Sequence, residues 1–334
     1  MNETLPSVES QEAAGPSRLA RLVSRLLPFL GLLLVMVPFS ILDWLGKAPG
    51  FLSMYNIETG VIQTIVVAIA GFGMTFVIIS GGIDLSVGSV IALSTVAVAL
   101  VLNLPASWHM SVWAAMLAGI VAAGLCGLLN GLMITGLRIV PFIATLGMWS
   151  VARGVAKLLA REQKIDAPTT WINDLMVKSA LSPGVLILLA ALVVMWVLLR
   201  YTTFGRYTIA IGSNEATARL CGVRVRLVKI GIYTLAGLLT GLAGVLQFSR
   251  LTVGDPTVAA GMELDVIAAV VIGGGSLSGG EGSILGTLIG ALAMSFLRTG
   301  CTLVDWPNYV QEIFIGIFIV IYVAIDQLRR ARTS

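Results

Sequence analysis

The chain has 334 residues, of which 57% are hydrophobic and 11% are charged, and its mean hydropathy is +0.97. A soluble globular domain carries roughly a quarter charged residues, so a water-soluble chain of this composition would expose far too much apolar surface. The net charge of +4 reflects 21 basic and 17 acidic residues. Because the basic residues lie mostly in short loops between apolar segments, they indicate orientation in a membrane and argue against nucleic-acid binding.

Residues suited to catalysis or metal binding are scarce. The sequence has one histidine, His109, and three cysteines (Cys126, Cys221 and Cys301) without C-x-x-C spacing. A metal site or a histidine-based catalytic triad needs more candidate groups than these. The sequence also lacks the GxxxxGK[ST] phosphate loop of nucleotide-binding proteins. We therefore predict no metal, no bound cofactor and no enzymatic activity.

The N-terminal segment is polar up to Ser17 and has the composition of a disordered chain. Three arginines then precede an apolar run from Leu26 to Leu42. A cleaved signal peptide would carry a site of small residues after such a run, whereas here an aspartate, a tryptophan and a lysine follow. We predict a disordered cytoplasmic tail over residues 1–25 and a retained membrane span after it.

The apolar segments are long enough to be membrane spans. A helix needs about 20 apolar residues to cross a hydrocarbon core of about 30 Å. This rule predicts an all-α integral membrane protein of about ten transmembrane helices, in a membrane domain over residues 26–328. The predicted spans are 26–45, 60–80, 85–104, 111–136, 140–159, 184–200, 229–249, 262–275, 283–300 and 308–326.

The distribution of lysine and arginine predicts how these spans are oriented. Cytoplasmic loops of membrane proteins are enriched in basic residues. With the N-terminus inside, most of the basic residues fall on the inner side, including those of the densest loop, 200–229, and of both chain ends. We therefore expect both termini in the cytoplasm, with residues 329–334 as a short C-terminal tail.

Two polar loops separate the spans. The outer loop 160–183 is polar enough to be exposed and to contact another protein. In the long inner loop, Ser213 or Asn214 can cap a short helix with Glu215 in its first turn, where the helix dipole favours an anion. Gly222 can end that helix. The pattern predicts a short helix at the membrane surface, which is either a contact element or an ordinary loop helix.

Two glycine-interrupted segments share the pattern GGxxLS, at residues 81–86 and 273–278, and both fall on the cytoplasmic side of the predicted topology. Such segments in corresponding places of two halves point to a transport pathway, although glycine also serves close helix packing. A duplicated architecture and simple packing both remain open. The candidate residues of a translocation path are Gly81, Gly82, Asp84, Ser86, Ser89, Asp265, Gly273, Gly274 and Ser276.

Asp84 is the acidic residue deepest in the apolar sequence. A carboxylate at bilayer depth is costly and usually faces a partner or a water-filled cavity. The alternative is that Asp84 caps the third span and accepts hydrogen bonds from the backbone N–H groups of Ser86 and Val87. We favour the cap, which would stabilise a helix start beside the path without touching solute.

Four separated motifs carry a family resemblance. They are GMTFVIISGGIDLSVGSVIALS (73–94), PFIATLGMWSVARGVA (141–156), GRYTIAIGSNEATARLCGVRV (205–225) and ELDVIAAVVIGGGSLSGGEGSILGTLIGAL (263–292). In this order they closely resemble the membrane permease subunits of bacterial ribose/xylose-type ABC importers, the inner-membrane components of binding-protein-dependent transport systems. The resemblance covers about residues 60–326. It implies the importer permease fold, with about ten spans and cytoplasmic termini.

The resemblance also implies partners and a mechanism. A second permease copy, identical or similar, would lie beside this one in the lipid of the inner membrane. A cytoplasmic ABC ATPase would bind and hydrolyse ATP, and a periplasmic binding protein would deliver a ribose-, xylose- or galactose-like monosaccharide. ATP-driven motion of the ATPase would then produce alternating access. Arg161, Arg250 and Arg298, on the outer side, are candidates for docking the binding protein.

In such importers a short cytoplasmic coupling helix fits a groove on the ATPase. The matching residues here are Asn214, Glu215, Ala216, Thr217, Ala218, Arg219, Leu220 and Gly222. Thr217 departs from the Glu-Ala-Ala pattern of many importers, which affects the details of the contact rather than the role. Two other interpretations stay open: a branched-chain amino-acid ABC permease, and an ion-coupled secondary transporter, which would need intramembrane ion ligands and no ATPase.

Overall fold

The computed structural model describes residues 18–105, 111–177, 179 and 182–331, and helices dominate this part of the chain. The helices are α1 (Arg18–Trp44), α2 (Met54–Ile79), α3 (Val87–Leu102), α4 (Val112–Gly136), α5 (Pro141–Ala160), α6 (Pro183–Tyr201), α7 (Thr203–Ser213), α8 (Glu215–Leu220), α9 (Val225–Leu251), α10 (Met262–Ile272), α11 (Ile284–Leu303) and α12 (Asn308–Ala331). A 3-10 helix at Trp171–Met176 and two short strands, β1 (Ile165–Asp166) and β2 (Val253–Gly254), accompany them.

Each predicted span falls on one of these helices. Among the described residues, α2, α4, α5, α6, α9 and α11 are long and apolar enough to cross a membrane, and α3 is a shorter apolar helix. α10 has 11 residues, or about 17 Å of helix, which is less than the roughly 30 Å of a hydrocarbon core. A helical membrane protein is confirmed, while the number of about ten spans stays a prediction.

The first helix begins earlier than predicted. Residues 1–17 of the predicted disordered tail lie outside the described residues, but residues 18–25 are helical because α1 starts at Arg18. The prediction that disorder extends to residue 25 is therefore wrong. Leucine, alanine and arginine are strong helix formers, and the basic residues are compatible with an extension of the helix beyond its apolar part. At the other end, α12 continues to Ala331.

α2 forms the centre of the bundle. Within its most apolar 18-residue window, 94% of the residues are buried, against 22% for the corresponding window of α6. It contacts α6, α9, α10 and α11. Helices α4, α5 and α6, at the periphery of the bundle, instead expose aliphatic side chains such as Leu125, Val151 and Val193. These surfaces suit contact with lipid tails.

Small residues bring α4 and α9 close together. A Cβ atom built on Gly127 would overlap the carbonyl oxygen of Tyr233, and one built on Gly237 would lie 2.6 Å from that of Ala123. Close backbone approach through small residues is typical of membrane helices, where van der Waals packing holds helices together. Both helices also contact the first GGxxLS segment, α4 through Asn130 at Ser86 and α9 through Tyr233 at Gly82.

An irregular segment after α9 is held inside the bundle. It contains β2, which pairs antiparallel with β1 so that Ile165 lies opposite Gly254. Arg153 of α5 donates from Nη1 to the carbonyl oxygens of Pro256, at 2.9 Å, and of Val258, at 2.8 Å. Non-helical backbone inside a membrane protein needs such partners, because lipid offers none. The bonds fix the path of the chain to the start of α10.

The loop 160–183, which the sequence predicts on the outer side, is less exposed than its polar sequence predicts. Its 3-10 helix contacts α6 and α9, and Ile172 and Leu175 are buried. The tight helix places these apolar residues on the side that faces the bundle, so the loop acts partly as a cover over α9. Residues 178, 180 and 181 of this loop lie outside the described residues.

Candidate functional site

The short inner helix predicted from the sequence is present as α8. Asn214 caps it, because its Oδ1 accepts a hydrogen bond from the backbone N–H of Thr217 at 2.9 Å. Gly222 has a φ of +85°, a left-handed conformation that suits glycine after the end of a helix. The structure thus selects Asn214 from the two possible caps and confirms the predicted start and end of the helix.

Glu215 connects α8 to α9. Its Oε1 accepts a hydrogen bond from Nη2 of Arg219 at 3.0 Å, one turn further along α8. Its Oε2 accepts one from Nζ of Lys229, in α9, at 2.6 Å. The hydrogen bond from Lys229 holds the pKa of the Glu215 carboxyl below its ordinary value. The group is therefore ionised at neutral pH, and both bonds are charge-assisted.

α8 has one packed side and one exposed side. Ala218 is buried in a small cluster with Ile211 of α7 and Val225 of α9. Ala216 is exposed, and Leu220 is 88% exposed. The helix is thus anchored to the bundle through Ala218 and Glu215, and it presents a mixed apolar and charged face to its surroundings.

Three backbone segments meet immediately before α8. A Cβ atom built on Gly212, in the last turn of α7, would overlap the carbonyl oxygen of Ile79, and the N–H of Gly280 donates to that same oxygen at 2.8 Å. A Cβ built on Gly279 would lie 2.8 Å from the carbonyl oxygen of Gly212 and 3.2 Å from Cα of Gly81. We call Ile79, Gly81, Gly212, Gly279 and Gly280 the glycine junction.

The glycine junction joins both GGxxLS segments to α8. The first segment begins within the junction at Gly81, and the second ends one residue before Gly279. The two segments that share a pattern in the sequence are therefore neighbours in space. Backbone meets backbone here with no side chain between, so the end of α7, just before α8, packs directly against the end of α2 and the loop between α10 and α11.

Asp84 orders the first segment. Its Oδ1 accepts hydrogen bonds from the backbone N–H of Ser86, at 2.8 Å, and from the Ser86 hydroxyl. Asn130 donates from Nδ2 to the Ser86 hydroxyl at 3.2 Å. The N-cap of α3 is Ser86 itself, without a side-chain cap bond, so the prediction that Asp84 is the cap is wrong. An aspartate side chain commonly accepts a hydrogen bond from the backbone N–H two residues ahead. Here that bond stabilises the turn before α3.

The surroundings of Asp84 are polar and buried. The hydroxyl of Tyr233 and Oδ1 of Asn130 have no hydrogen-bond partner among the described residues. A Cβ atom on Gly82 would overlap the Tyr233 hydroxyl, so the glycine allows the segment to lie against α9. On the other side, Thr145 of α5 donates to the carbonyl oxygen of Ile83 at 3.1 Å. The segment is thus held by three helices.

The predicted path residues lie in two separate places. Residues 81–89 and 273–276 flank the glycine junction, whereas Asp265 lies near the other end of α10. Gly81 is exposed and Gly274 is half-buried, while the remaining candidates are buried within the chain. All of them except Asp265 shape the interior near the junction, and contact of any of them with a solute stays a prediction.

Asp265 has a partner that the sequence analysis did not assign. Arg298 of α11 donates to it from Nε and Nη2, both at 2.9 Å, in a two-pronged contact. The Asp265 side chain is 5% exposed and that of Arg298 is 34% exposed. Two opposite charges within consecutive apolar helices were the signal that could have revealed this pair. Arg298, a predicted docking candidate, lies in the second half of α11, and its docking role stays a prediction.

The described residues offer little to a metal. None of their histidine, cysteine, aspartate and glutamate side chains form a group of three or more that could hold an ion. Cys126 and Cys301 are buried and Cys221 is exposed, each with a free thiol.

Comparison with known proteins identifies the family to which the chain is similar. A family model described as "Branched-chain amino acid transport system / permease component" matches residues 56–323. The ribose import permease protein RbsC of Bacillus subtilis is 42% identical, over 92% of this chain and 94% of its own length. The L-arabinose ABC transporter permease protein AraH of Azospirillum brasilense is 34% identical, over 98% and 95%. The fructose import permease protein FrcC of Rhizobium meliloti is 33% identical, over 90% and 84%.

No solved structure gives a significant match to this chain. The protein relatives nevertheless cover almost its whole length, and the family model covers more than half of it. Helices α3 to α11, including the capped α8, and the two glycine-rich segments lie within the matched region. The chain therefore belongs to the family of sugar ABC importer permeases, multi-pass proteins of the inner membrane.

Proposed function

We propose that this chain is the permease subunit of an ATP-driven importer that moves a monosaccharide of the ribose, xylose or galactose type across the inner membrane by alternating access. Relatives named for ribose, L-arabinose and fructose support a monosaccharide as the solute. The family description names branched-chain amino acids. The relatives are the more specific guide, because they align over nearly the whole chain.

The observation that carries the proposal is the attachment of α8 to the glycine junction. α8 presents Ala216, Arg219 and Leu220 outward, which provides a contact surface for a cytoplasmic ATPase. The ATPase binds and hydrolyses ATP, and the permease itself needs no cofactor. Motion of α8 reaches Ile79 and Gly280 through Gly212, and so reaches both GGxxLS segments. The two states of the permease must bind the partner differently for ATP to shift their populations.

The proposal includes a topology. About ten spans cross the membrane within residues 26–328, both termini and the coupling helix at 214–222 lie in the cytoplasm, and a second permease copy completes the path. α10 is too short to span alone, but the segment before it runs inside the bundle, where Arg153 satisfies its carbonyl groups. A periplasmic sugar-binding protein docks on the opposite end of the bundle from α8.

Reconstitution tests the proposal. The chain is placed in proteoliposomes with its ATPase and its sugar-binding protein, and uptake of radiolabelled D-ribose, D-xylose, D-galactose and L-leucine is measured with and without ATP. We expect ATP-dependent uptake of at least one sugar and none of leucine. ATP-dependent uptake of leucine alone would assign an amino-acid permease instead.

The second arm uses the chain by itself in the same vesicles, under a sodium or proton gradient. We expect no accumulation of any sugar, because the driving force comes from the ATPase. Uphill accumulation by the chain alone would overturn the proposal in favour of an ion-coupled transporter.

A further inference from the structure

A cavity of about 180 Å³ lies at the end of the bundle opposite α8, between α2, α9, α10 and α11. Its polar lining comes from Gln63, Arg250, Asp265, Ser295 and Arg298, and methionine, valine and alanine supply the rest. We call this cavity the outer pocket. It lies apart from the glycine junction and uses only Asp265 from the predicted path residues.

Ser295 is the first sign that the outer pocket receives a molecule. Its side chain is 3% exposed, and its hydroxyl has no hydrogen-bond partner among the described residues. A buried polar group without a partner costs about 1–3 kcal/mol, so such a hydroxyl normally finds water or a ligand. Thr299, one turn later, differs because its hydroxyl donates to the carbonyl oxygen of Ser295 at 2.8 Å and is satisfied by its own helix.

The charges of the outer pocket are the second sign. Asp265 and Arg298 form an ion pair at its wall, and Arg250 is exposed at its edge without an ion pair among the described residues. Charged side chains within membrane helices face the bundle interior or a water-filled cavity rather than lipid. The aliphatic outward faces of α4, α5 and α6 show the contrasting surface. The side of the bundle that bears the outer pocket therefore meets water.

Size and chemistry define the class of ligand. The outer pocket is smaller than the roughly 300–1,000 Å³ of cavities that hold drug-sized ligands, and it suits a single sugar ring. Sugar hydroxyls both donate and accept hydrogen bonds. Ser295 and Gln63 can do both, the two arginines donate and Asp265 accepts. Asp265 and Arg298 already form hydrogen bonds with each other, so few of their donors and acceptors are left for the sugar. This favours weak binding and quick release of the sugar.

We propose that the outer pocket is a low-affinity subsite for the transported monosaccharide at the outward end of the path. This inference rests on the proposed function, since it needs a sugar to be delivered at this end of the bundle. It assigns Ser295 and Gln63 to contact with the sugar hydroxyls. Asp265 and Arg298 form the fixed polar wall against which the sugar lies.

Cysteine protection tests the subsite in the assembled transporter. Gln63→Cys is made in a Cys221→Ser background, because Gln63 is half-buried at the pocket whereas the other two native thiols are buried. The complex in proteoliposomes is treated from outside with a small hydrophilic methanethiosulfonate, with the binding protein loaded or empty. We expect D-ribose, D-xylose or D-galactose to slow modification by about threefold or more, as occupancy of the site requires by mass action. Thr59→Cys, half-buried one turn earlier on α2 and outside the pocket, should be modified at the same rate with and without sugar.

A filling variant gives an independent readout. We expect Ser295→Leu to lower ATP-dependent sugar uptake by about tenfold, or about 1.4 kcal/mol, while ATPase activity and assembly are kept. Thr299→Val, which also removes one hydroxyl from α11, should retain uptake. If wild-type uptake holds but none of the three sugars protects the thiol introduced by Gln63→Cys, or Ser295→Leu transports normally, the subsite is excluded. Absence of wild-type ATP-driven uptake would instead remove the proposed function.

Discussion

The glycine junction and the outer pocket lie at opposite ends of the same group of helices and are built from opposite materials. At the junction, the backbones of α7, of the end of α2 and of the loop before α11 touch one another directly. At the outer pocket, charged and polar side chains of α2, α9, α10 and α11 surround open space. One end is dense and made of backbone, and the other is open and made of side chains.

This difference teaches what each end can do. Backbone contact without intervening side chains transmits displacement, because nothing can change rotamer and absorb it. A cavity lined by polar side chains can bind a small solute and release it. The junction should therefore be sensitive to added volume and the outer pocket to lost polarity. The following predictions separate these two sensitivities.

Gly212→Ala should have the largest effect. The added Cβ overlaps the carbonyl oxygen of Ile79 and lies 2.6 Å from the backbone nitrogen of Gly280, so backbone rather than side chains must move. Overpacking typically costs about 1–3 kcal/mol, and here we expect about 3 kcal/mol or more, with loss of uptake. The thermal midpoint of the purified protein in detergent measures this. Gly147→Ala, on α5 with no atom within 4 Å of its added Cβ, is the matched control. Equal midpoints for the two variants would contradict the junction.

The sequence predicted the parts of the junction unevenly. Gly81 and the second GGxxLS segment stood out because glycine pairs interrupt long apolar runs, and α8 was predictable because a cap and a terminating glycine are local signals. α7 was not predicted, and neither was the role of Gly212. Gly212 approaches residues that are far away in the chain, and the residues next to it in the sequence do not predict such a contact.

The outer pocket was even less predictable. Asp265 was recognised from its charge, but its pairing with Arg298 depends on how α10 and α11 fold back on each other. A serine such as Ser295 in an apolar helix gives no signal of its own, since most such hydroxyls bond to the preceding turn, as Thr299 does. Only the packed structure shows which hydroxyl is left without a partner beside a cavity.

Asp265→Leu tests the sensitivity of the outer pocket to lost polarity. Removing one member of a buried ion pair costs about 3–5 kcal/mol, and we expect about 1–3 kcal/mol here because the Arg298 side chain is 34% exposed to solvent that screens it. Thermal melting of the purified protein measures the loss. The double variant Asp265→Leu/Arg298→Leu should regain most of the stability but not the uptake. A double variant no more stable than the single one would show that the pair's charges are not the cause.

Glu215→Ala/Arg219→Ala tests the transmitting end without adding volume. We expect ATPase activity to continue while sugar uptake falls about tenfold, within the roughly 5- to 150-fold range of typical coupling energies. Membrane insertion should be unchanged, because Ala218 still anchors α8. Arg224→Ala, which removes one exposed charge just before α9, is the control. Unimpaired uptake in the double variant would remove the contact role of α8.

The same contact predicts a pH dependence. The Glu215 carboxyl has a pKa below its ordinary value of 4.5, so its contribution is present above that pH and is lost as pH falls through the lower, folded-state value. The uptake ratio of wild type to Glu215→Gln should therefore stay constant between about pH 6 and pH 8. A ratio that changes within that range would place the titration elsewhere than on Glu215.

Asp84→Asn should have the smallest effect, and it distinguishes a structural aspartate from a functional charge. The asparagine Oδ1 can still accept hydrogen bonds from the N–H and hydroxyl of Ser86, so we expect stability within about 1 kcal/mol of wild type and uptake nearly unchanged. Asp84→Ala should cost more, since the buried Ser86 N–H and hydroxyl lose their acceptor. Melting and uptake of both variants decide this. If Asp84→Asn stops uptake while its melting stays normal, the charge itself acts in transport, and the first GGxxLS segment does more than hold the helices that surround it.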